Sequence, residues 1–194
     1  MSRRKRIILS GIVAAAVCVA VGGFLLWWQD YPVHHFGIVR EGVLYRSGQP
    51  DESQLAVLVR RHRIRTVVNL RGQAPDKDWY RREVAFCQGR GIKLVHVTMS
   101  KQQEAAANVQ RVLDVVADPQ NHPVLVHCEA GSARTGFVTA AFRIVVDGWS
   151  YEKAMEEAQR LRFPRLHNNT NREYDRVLRE LAARDAAYSE NSMR

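Results

Sequence analysis

The chain has 194 residues, 46% of them hydrophobic and 25% charged, so it is long enough and apolar enough to fold around a core. Its 12 glycines, 6 prolines and 3 cysteines exclude a collagen-like chain, a compositionally disordered chain and a small disulfide-stabilised protein. The formal net charge is +9, and residues 3–6 alone supply four positive charges. The other basic residues do not form the dense stripe with interleaved aromatics that is typical of nucleic-acid-binding proteins, so we expect no nucleic-acid partner.

An uncharged apolar segment follows the basic cluster. It extends from Ile7 to Trp28, and a helix of these 22 residues would be about 33 Å long, enough to cross a bilayer. The apolar region of a cleaved signal peptide is shorter, and Val17 stands before Cys18 where a lipoprotein signal needs a small residue. The sequence therefore predicts a basic cytoplasmic N-terminus over residues 1–6 and a single transmembrane anchor over residues 7–28.

The positive-inside rule sets the expected orientation of this anchor. Basic residues before the apolar segment stay in the cytoplasm, which places the rest of the chain on the other side. We expect a single-pass protein of a bacterial inner membrane with an extracytoplasmic folded domain. Residues 29–40 are predicted to be a juxtamembrane linker, with His34 and His35 exposed near the membrane. Residues 41–187 are predicted to form one domain, and residues 188–194 a flexible tail.

The domain alternates between strand and helix signals. Short apolar segments rich in β-branched residues predict strands at Gly42–Tyr45, Thr66–Leu70, Lys93–Thr98 and Pro123–His127. Longer segments predict helices at Glu52–Arg61, Asp78–Gln88, Gln103–Ala117, Ala133–Val146, Tyr151–Leu161 and Asn171–Ala187. This alternation predicts an α/β fold, a mostly parallel central sheet flanked by helices. Ligands bind such sheets at the carboxyl ends of central strands, which singles out the residues after Pro123–His127.

A cysteine, five residues, an arginine and then a helix follow that strand. A turn there lets successive backbone N–H groups converge on an anion at the helix N-terminus. Arg134 can hold two phosphate oxygens with its planar guanidinium. The predicted phosphate-binding residues are Glu129, Ala130, Gly131, Ser132, Ala133 and Arg134.

Cys128 is the predicted nucleophile of this site. A helix N-terminus and a nearby guanidinium lower the pKa of a thiol and favour the reactive thiolate. The hydroxyl of Thr135 is expected to donate to the sulfur, and His127 to support the loop by hydrogen bonding. Gly131 and Gly136 are expected to allow the tight turn and close packing of the strand against the helix. The other cysteine of the domain, Cys87, is predicted to be a packing residue.

The residues His127-Cys128-x-x-Gly131-x-x-Arg134-Thr135-Gly136 resemble the signature of cysteine-dependent protein tyrosine phosphatases. Leu44–Pro50, Thr66–Arg71 and the order of elements are similar to the atypical dual-specificity phosphatases of bacteria, fungi and plants. The resemblance implies a tyrosine phosphatase-like fold, catalysis by Cys128 and Arg134 through a cysteinyl-phosphate intermediate, and neither metal nor cofactor. Rhodanese-like and arsenate-reductase proteins also bind anions beside a cysteine, but they do not explain Arg134-Thr135 together with the segment at Tyr45–Pro50.

One part of the family pattern is missing. Many members carry a general-acid Asp on the loop that corresponds to Met99–Gln103, and this loop has no Asp. Glu104, Asp76 and Asp78 are alternative candidates. Loss of a general acid typically slows such a reaction by about 10² to 10⁴, which predicts a weak enzyme or one that needs good leaving groups.

Three functions therefore remain open at the level of sequence. The first is a membrane-anchored phosphatase of phosphorylated proteins or small phosphomonoesters, and the second is a lipid or glycan phosphomonoesterase of the cell envelope. The third is a weakly active pseudophosphatase that binds phosphate ligands. The variable positions of the loop contain one acid, Glu129, and neither Lys nor His, so highly phosphorylated inositols are disfavoured.

Overall fold

The computed structural model describes residues 16–22, 33–99, 104–161, 163 and 169–192. The chain divides after Pro32 into two units, of which the second begins at Val33. Residues 16–22 are helical and belong to the predicted anchor, whose other residues lie outside the described ranges. Within those ranges, no helix combines the length and the apolar character needed to cross a membrane. The anchor over residues 7–28 therefore stays a prediction.

Five short strands form one mixed sheet. They are β1 (Gly37–Arg40), β2 (Leu44–Ser47), β3 (Thr66–Asn69), β4 (Lys93–His96) and β5 (Val124–His127). Their spatial order is β1-β2-β5-β3-β4, with β2, β5, β3 and β4 parallel and only β1 antiparallel to its neighbour. The predicted mostly parallel sheet is confirmed, and β5 lies at its centre.

Among the described residues from Val33 onward, six α-helices cover the sheet. They are α1 (Glu52–His62), α2 (Asp78–Gly89), α3 (Ala105–Ala117), α4 (Ala133–Val145), α5 (Tyr151–Arg160) and α6 (Asn169–Ser192). The first five have ends within two residues of the prediction. Helix α6 extends five residues beyond Ala187, so residues 188–192 are helical instead of a tail. Capping side chains explain two of the starts, since Asp51 accepts from the Gln54 N–H and Ser150 from the Lys153 N–H.

Two hydrophobic cores lie on opposite faces of the sheet. Helices α3, α4, α5 and α6 contribute to the first core, and α1 and α2 to the second. Strand β5 serves both, because Val124 and Val126 belong to the first core and Leu125 to the second. Burial on both faces explains why this strand is a continuous apolar run in the sequence. The rings of Phe137 and Tyr174 stack at 4.2 Å and join α4 to α6.

The predicted linker over residues 29–40 is wrong from Val33 onward. It contains β1, and Val33 before it is buried, so the folded unit begins at Val33 instead of residue 41. Strand β1 lies at the edge of the sheet, where Val39 is buried and Ile38 is 51% exposed. Four residues with one strongly buried side chain give too little periodicity to distinguish an edge strand from a linker.

Candidate active site

The candidate site lies where three parallel strands end side by side. The register pairs Ser47 of β2 and Asn69 of β3 with His127 of β5. Cys128 follows immediately and is 2% exposed. The strand pairing therefore places Cys128, the predicted nucleophile, at the carboxyl edge of the sheet, between the ends of β2 and β3.

The loop after Cys128 has its carbonyl groups turned into the protein. Three consecutive carbonyls, those of Glu129, Ala130 and Gly131, each accept a hydrogen bond. Their donors are the Gln49 N–H at 2.9 Å, the His35 Nδ1 at 2.5 Å and the Arg46 Nη2. All three donors precede the loop by many residues, in or beside β1 and β2. His35 was predicted only to be exposed near the membrane. The structure shows that it also contacts the loop directly.

These carbonyl contacts determine where the N–H groups point. Across a trans peptide the N–H of one residue is directed opposite to the carbonyl of the residue before it. The N–H groups of Ala130, Gly131 and Ser132 are therefore directed away from Gln49, His35 and Arg46. Consistent with this, the Gly131 N–H donates to the Cys128 Sγ at 3.2 Å. The loop thus places the sulfur beside a backbone donor, and its binding of phosphate stays a prediction.

Gly131 is required by this geometry. Its φ is +69°, and a Cβ placed there would lie 2.5 Å from the nitrogen of Gly48 and 2.8 Å from the carbonyl carbon of Ser47. The tight turn predicted for Gly131 is confirmed. At Gly136 the three atoms nearest to such a Cβ all belong to Phe163, with its Cδ2 at 2.7 Å, so this glycine allows a close approach of that side chain.

Arg134 and Thr135 lie in the first turn of α4. Arg134 keeps 26% of its side chain exposed, and its Nη2 lies 3.6 Å from the Oε2 of Glu129. The N-cap residue Ser132 makes no side-chain cap, so the N-terminal N–H groups of α4 are not occupied by it. Thr135 is buried, and its hydroxyl donates to the Ser47 carbonyl at 3.5 Å. The structure thus gives this hydroxyl a different acceptor from the predicted sulfur.

Glu129 connects two arginines at the rim of the loop. One carboxylate oxygen lies 3.6 Å from the Arg71 Nη2, and the other lies 3.6 Å from the Arg134 Nη2. Arg71 also donates to the Gln49 Oε1 at 3.2 Å, and its guanidinium lies 3.7 Å from the ring centre of Trp79. The rim therefore consists of two cations joined by one exposed acid.

A buried carboxylate lies behind the loop. Glu83 of α2 is 4% exposed, and the Nε2 of His127 lies 2.8 Å from its Oε1. Asn69 and Gln49 donate their side-chain N–H groups to the same carboxylate. Burial raises the pKa of Glu83, but the contacts with His127, Asn69 and Gln49 outweigh it and hold this pKa below its usual value. The predicted supporting role of His127 thus includes a partner on α2, in addition to the Cys128 carbonyl 3.3 Å from its Nδ1.

Sequence reasoning missed two charged residues of this arrangement, Arg46 and Glu83. Arg46 is 1% exposed and donates to the loop at the Gly131 carbonyl. Charged residues are almost never fully buried, so composition places them on the surface. Arg46 lies within the segment Leu44–Pro50 that resembles the family, and this was the available signal. Glu83 follows Arg81 and Arg82 on an amphipathic helix, and nothing in that pattern distinguishes it from a surface acid.

The candidate general acids are all exposed. The carboxylate of Asp76 lies 3.0 Å from the Lys77 Nζ, and Asp78 pairs with Arg81. The hydrogen bond from Lys77 lowers the pKa of Asp76, which is opposite to what a general acid requires. Glu104 immediately precedes α3. Residues 100–103 of the loop that lacks an Asp lie outside the described ranges.

Cys87 belongs to the second core and is fully buried. Burial raises its pKa to about 12, with the charge of Glu83 acting in the same direction and Arg90 in the opposite one. The thiol is therefore protonated at neutral pH, and the predicted packing role is confirmed.

Residues 31–178 match the model of a family described as the tyrosine phosphatase family. The chain belongs to this family. The resemblance seen at Cys128, Arg134 and the segment Leu44–Pro50 therefore reflects membership of the family.

Two curated relatives and one solved structure describe the similarity further. The chain is 30% identical over 129 residues to the inositol diphosphatase SIW14 of Saccharomyces cerevisiae, covering 64% of this chain and 44% of that protein. It is 34% identical over 118 residues to the dual specificity protein phosphatase TpbA of Pseudomonas aeruginosa, covering 60% of this chain and 50% of that protein. The crystal structure of the SIW14 core catalytic domain with citrate aligns with a TM-score of 0.64 and 25% identity, covering 82% and 94% of the two chains. The chain thus spans about half the length of these curated relatives and nearly all of the catalytic core.

Proposed function

We propose that this chain is a phosphomonoesterase that works through a cysteinyl-phosphate intermediate. The observation that carries the proposal is the arrangement at Cys128, where the sulfur accepts from the Gly131 N–H at 3.2 Å inside a loop whose carbonyls face away. Such a loop binds the three non-bridging oxygens of a phosphate and holds the phosphorus close to the sulfur.

The reaction has two displacements at phosphorus. The Cys128 thiolate forms an S–P bond while the bond from phosphorus to the leaving oxygen breaks, and an acid supplies a proton to that oxygen. Arg134 and the loop N–H groups stabilise the charge that develops on the other oxygens. Water then attacks the phosphorus, the S–P bond breaks, and inorganic phosphate and the thiolate are released. The acid is unassigned, and Asp76 suits the role poorly because Lys77 favours its ionised form.

The rim of the loop favours substrates with a single phosphate group. Glu129 places a negative charge between Arg71 and Arg134, where a second phosphate beside the reacting one would need positive charge. One relative is named an inositol diphosphatase and another a dual specificity protein phosphatase. The acid at position 129 favours phosphotyrosine, phosphoserine or another simple phosphomonoester, including a lipid or glycan phosphate, over an inositol diphosphate.

The function is tested by phosphate release from an aryl phosphate and a phosphotyrosine peptide by the full chain in detergent. Cys128→Ser is expected to abolish release, because a serine hydroxyl is not ionised at neutral pH. The matched control is Cys18→Ser, which changes a cysteine outside the site and is expected to keep wild-type rates. Equal rates for wild type and Cys128→Ser would contradict the mechanism.

Substrate charge is tested with Glu129→Gln. Removal of the carboxylate is expected to raise kcat/KM for an inositol diphosphate by about tenfold or more relative to the aryl phosphate, since two arginines lose their anionic partner. Glu152→Gln, an exposed acid of α5, is the control. An unchanged ratio between the two substrates would show that Glu129 does not select against neighbouring phosphates.

A second function, a phosphate-binding module with little turnover, is favoured by the absence of Asp from Met99–Gln103. It predicts negligible release by wild type and Cys128→Ser alike under reducing conditions, together with saturable binding of the phosphotyrosine peptide. Burst-phase release of one leaving group per chain, without further turnover, would instead indicate an enzyme arrested at the cysteinyl-phosphate.

The same chain is proposed to be anchored in a membrane by residues 7–28, with its domain outside the cytoplasm. The uncharged segment from Ile7 to Trp28 and the preceding basic residues support this proposal. The chain is expected to remain with the membrane fraction after an alkaline wash, and a reporter fused after Arg194 is expected to be active only outside the cytoplasm. Release by the wash, or a cytoplasmic reporter, would contradict the anchor or its orientation respectively.

A further inference from the structure

Arg46 is a cation enclosed beneath the phosphate-binding loop. It lies on β2, is 1% exposed, and donates to the Gly131 carbonyl, to the Thr139 hydroxyl at 3.4 Å and to the Leu161 carbonyl at 3.3 Å. These acceptors are all neutral. Among the described residues, its buried Nε has no hydrogen-bond partner. A guanidinium remains protonated in proteins, so a full positive charge is held here, and no carboxylate of the described ranges is in hydrogen-bond contact with it.

A buried charge of this kind needs a compensating negative charge. Burial lowers the pKa of Arg46, while the negative charges of Cys128 and Glu157 act to raise it. The carboxylate of Glu157 is already bound by Arg143, with both oxygens 2.7–2.8 Å from its guanidinium nitrogens. Cys128 is thus the other group whose negative charge acts on Arg46, and among the described residues its sulfur accepts from the N–H of Gly131, the residue whose carbonyl Arg46 holds.

The other charged and titratable groups around Cys128 are already committed. Arg134 on α4 lies against Glu129 and is partly exposed. His127 lies against Glu83. Tyr174 on α6 is uncharged at neutral pH, because burial and the charge of Cys128 raise its pKa to about 12 against the opposing effect of Arg134.

We propose that Arg46 is a positioning residue for Cys128: it holds the Gly131 carbonyl out of the cradle and supplies the enclosed positive charge that keeps the sulfur ionised. The proposal rests on the proposed function in its use of the thiolate as nucleophile. The two effects act on the same loop, because turning the Gly131 carbonyl toward Arg46 directs the Ser132 N–H the opposite way, into the cradle. A lysine would supply the charge but could not contact the Thr139 hydroxyl and the Gly131 carbonyl with two separate nitrogens, as Arg46 does.

The test is the pH dependence of Cys128 alkylation by iodoacetamide in the full chain, read by peptide mass spectrometry. Only the thiolate reacts, and no substrate turnover is needed, so the result is independent of whether the chain is a phosphatase. Arg46→Met is expected to raise the pH midpoint of alkylation by about one to three units, as removal of a close opposite charge does. Arg46→Lys is expected to stay closer to wild type. Arg40→Met is the control on the adjacent strand, where Arg143 continues to pair with Asp147.

A folded Arg46→Met variant with the wild-type midpoint would overturn the proposal and leave Arg46 a merely structural residue. Thermal unfolding by circular dichroism shows which variants are folded. If Arg46→Met does not fold, the alkylation midpoint of wild type is measured in 1 M sodium chloride instead. At that concentration the Debye length is about 3 Å, so the salt screens the effect of exposed charges on the sulfur but hardly that of an enclosed charge. An unchanged midpoint supports the enclosed cation, and an upward shift would assign the ionisation to exposed Arg134 instead.

Discussion

Gly131 shows how closely the loop depends on single residues. A methyl group there would overlap the backbone of Ser47 and Gly48. The loop also holds position 131 at a positive φ, which residues with a side chain rarely adopt. The backbone at Ser47 cannot move aside without disturbing the pairing of β2 with β5. Gly131→Ala is expected to destabilise the fold by about 1–3 kcal/mol and to reduce phosphate release at least 100-fold, as measured by urea unfolding and steady-state kinetics.

Gly42→Ala is the matched control for this substitution. Gly42 also has a positive φ, +73°, but a Cβ there meets nothing within 4 Å. Its cost is expected to be that of the backbone alone, about 1 kcal/mol, with wild-type activity. Equal losses in the two variants would mean that backbone conformation, and not contact with Ser47 and Gly48, explains the requirement at Gly131.

At the scale of residues, the sequence predicted a loop around Cys128 and missed two charged residues that support it. Cys128, Gly131 and Arg134 form a spaced pattern with one chemical interpretation. Arg46 and Glu83 have no such pattern, since their importance comes from burial, and burial of a charged side chain depends on which distant segments surround it.

At the scale of elements, helix α2 is joined to the strand ends by Glu83. The pKa of Glu83 is lower in the folded chain than its value of about 4.3 in an unfolded chain. Ionised Glu83 therefore stabilises the fold above about pH 4.3. This stabilisation is lost as the pH falls from about 4.3 through the lower folded-state value. Glu83→Gln is expected to cost about 1–3 kcal/mol at pH 7, and less as the pH approaches 3.

Urea unfolding at a series of pH values measures this difference. Glu152→Gln, an exposed acid of α5, serves as control and is expected to change stability little at any pH. A constant difference between wild type and Glu83→Gln from pH 7 to pH 3 would show that charge at position 83 does not contribute, and that only shape and hydrogen bonding do.

The helices and parallel strands were predictable because their signals are local. Asp51 and Ser150 cap helices, and buried strands such as β5 are apolar throughout. Strand β1 gave no such signal, because an edge strand of four residues is identified by its pairing with β2 and not by its own sequence. The extent of α6 was underestimated because its final residues have no apolar stripe or helix stop to mark an end.

At the scale of the whole molecule, the site is a product of the complete sheet. The loop donors His35 and Arg46 precede their acceptors by 95 and 85 residues. Intervening helices and strands must be in place before these hydrogen bonds can form. No local segment around Cys128 contains the cradle by itself.

The donors to the three loop carbonyls come from distant segments. The reactivity of the Cys128 thiol can therefore be used to measure how cooperatively the domain unfolds. The rate of Cys128 alkylation at neutral pH is expected to change in the same urea transition that removes the far-ultraviolet circular dichroism. A loop assembled from neighbouring residues could outlast the sheet or melt before it, and separate transitions would reveal that. Here detachment of β1 or β2 alone is expected to remove a donor to the loop and to change the reactivity of Cys128.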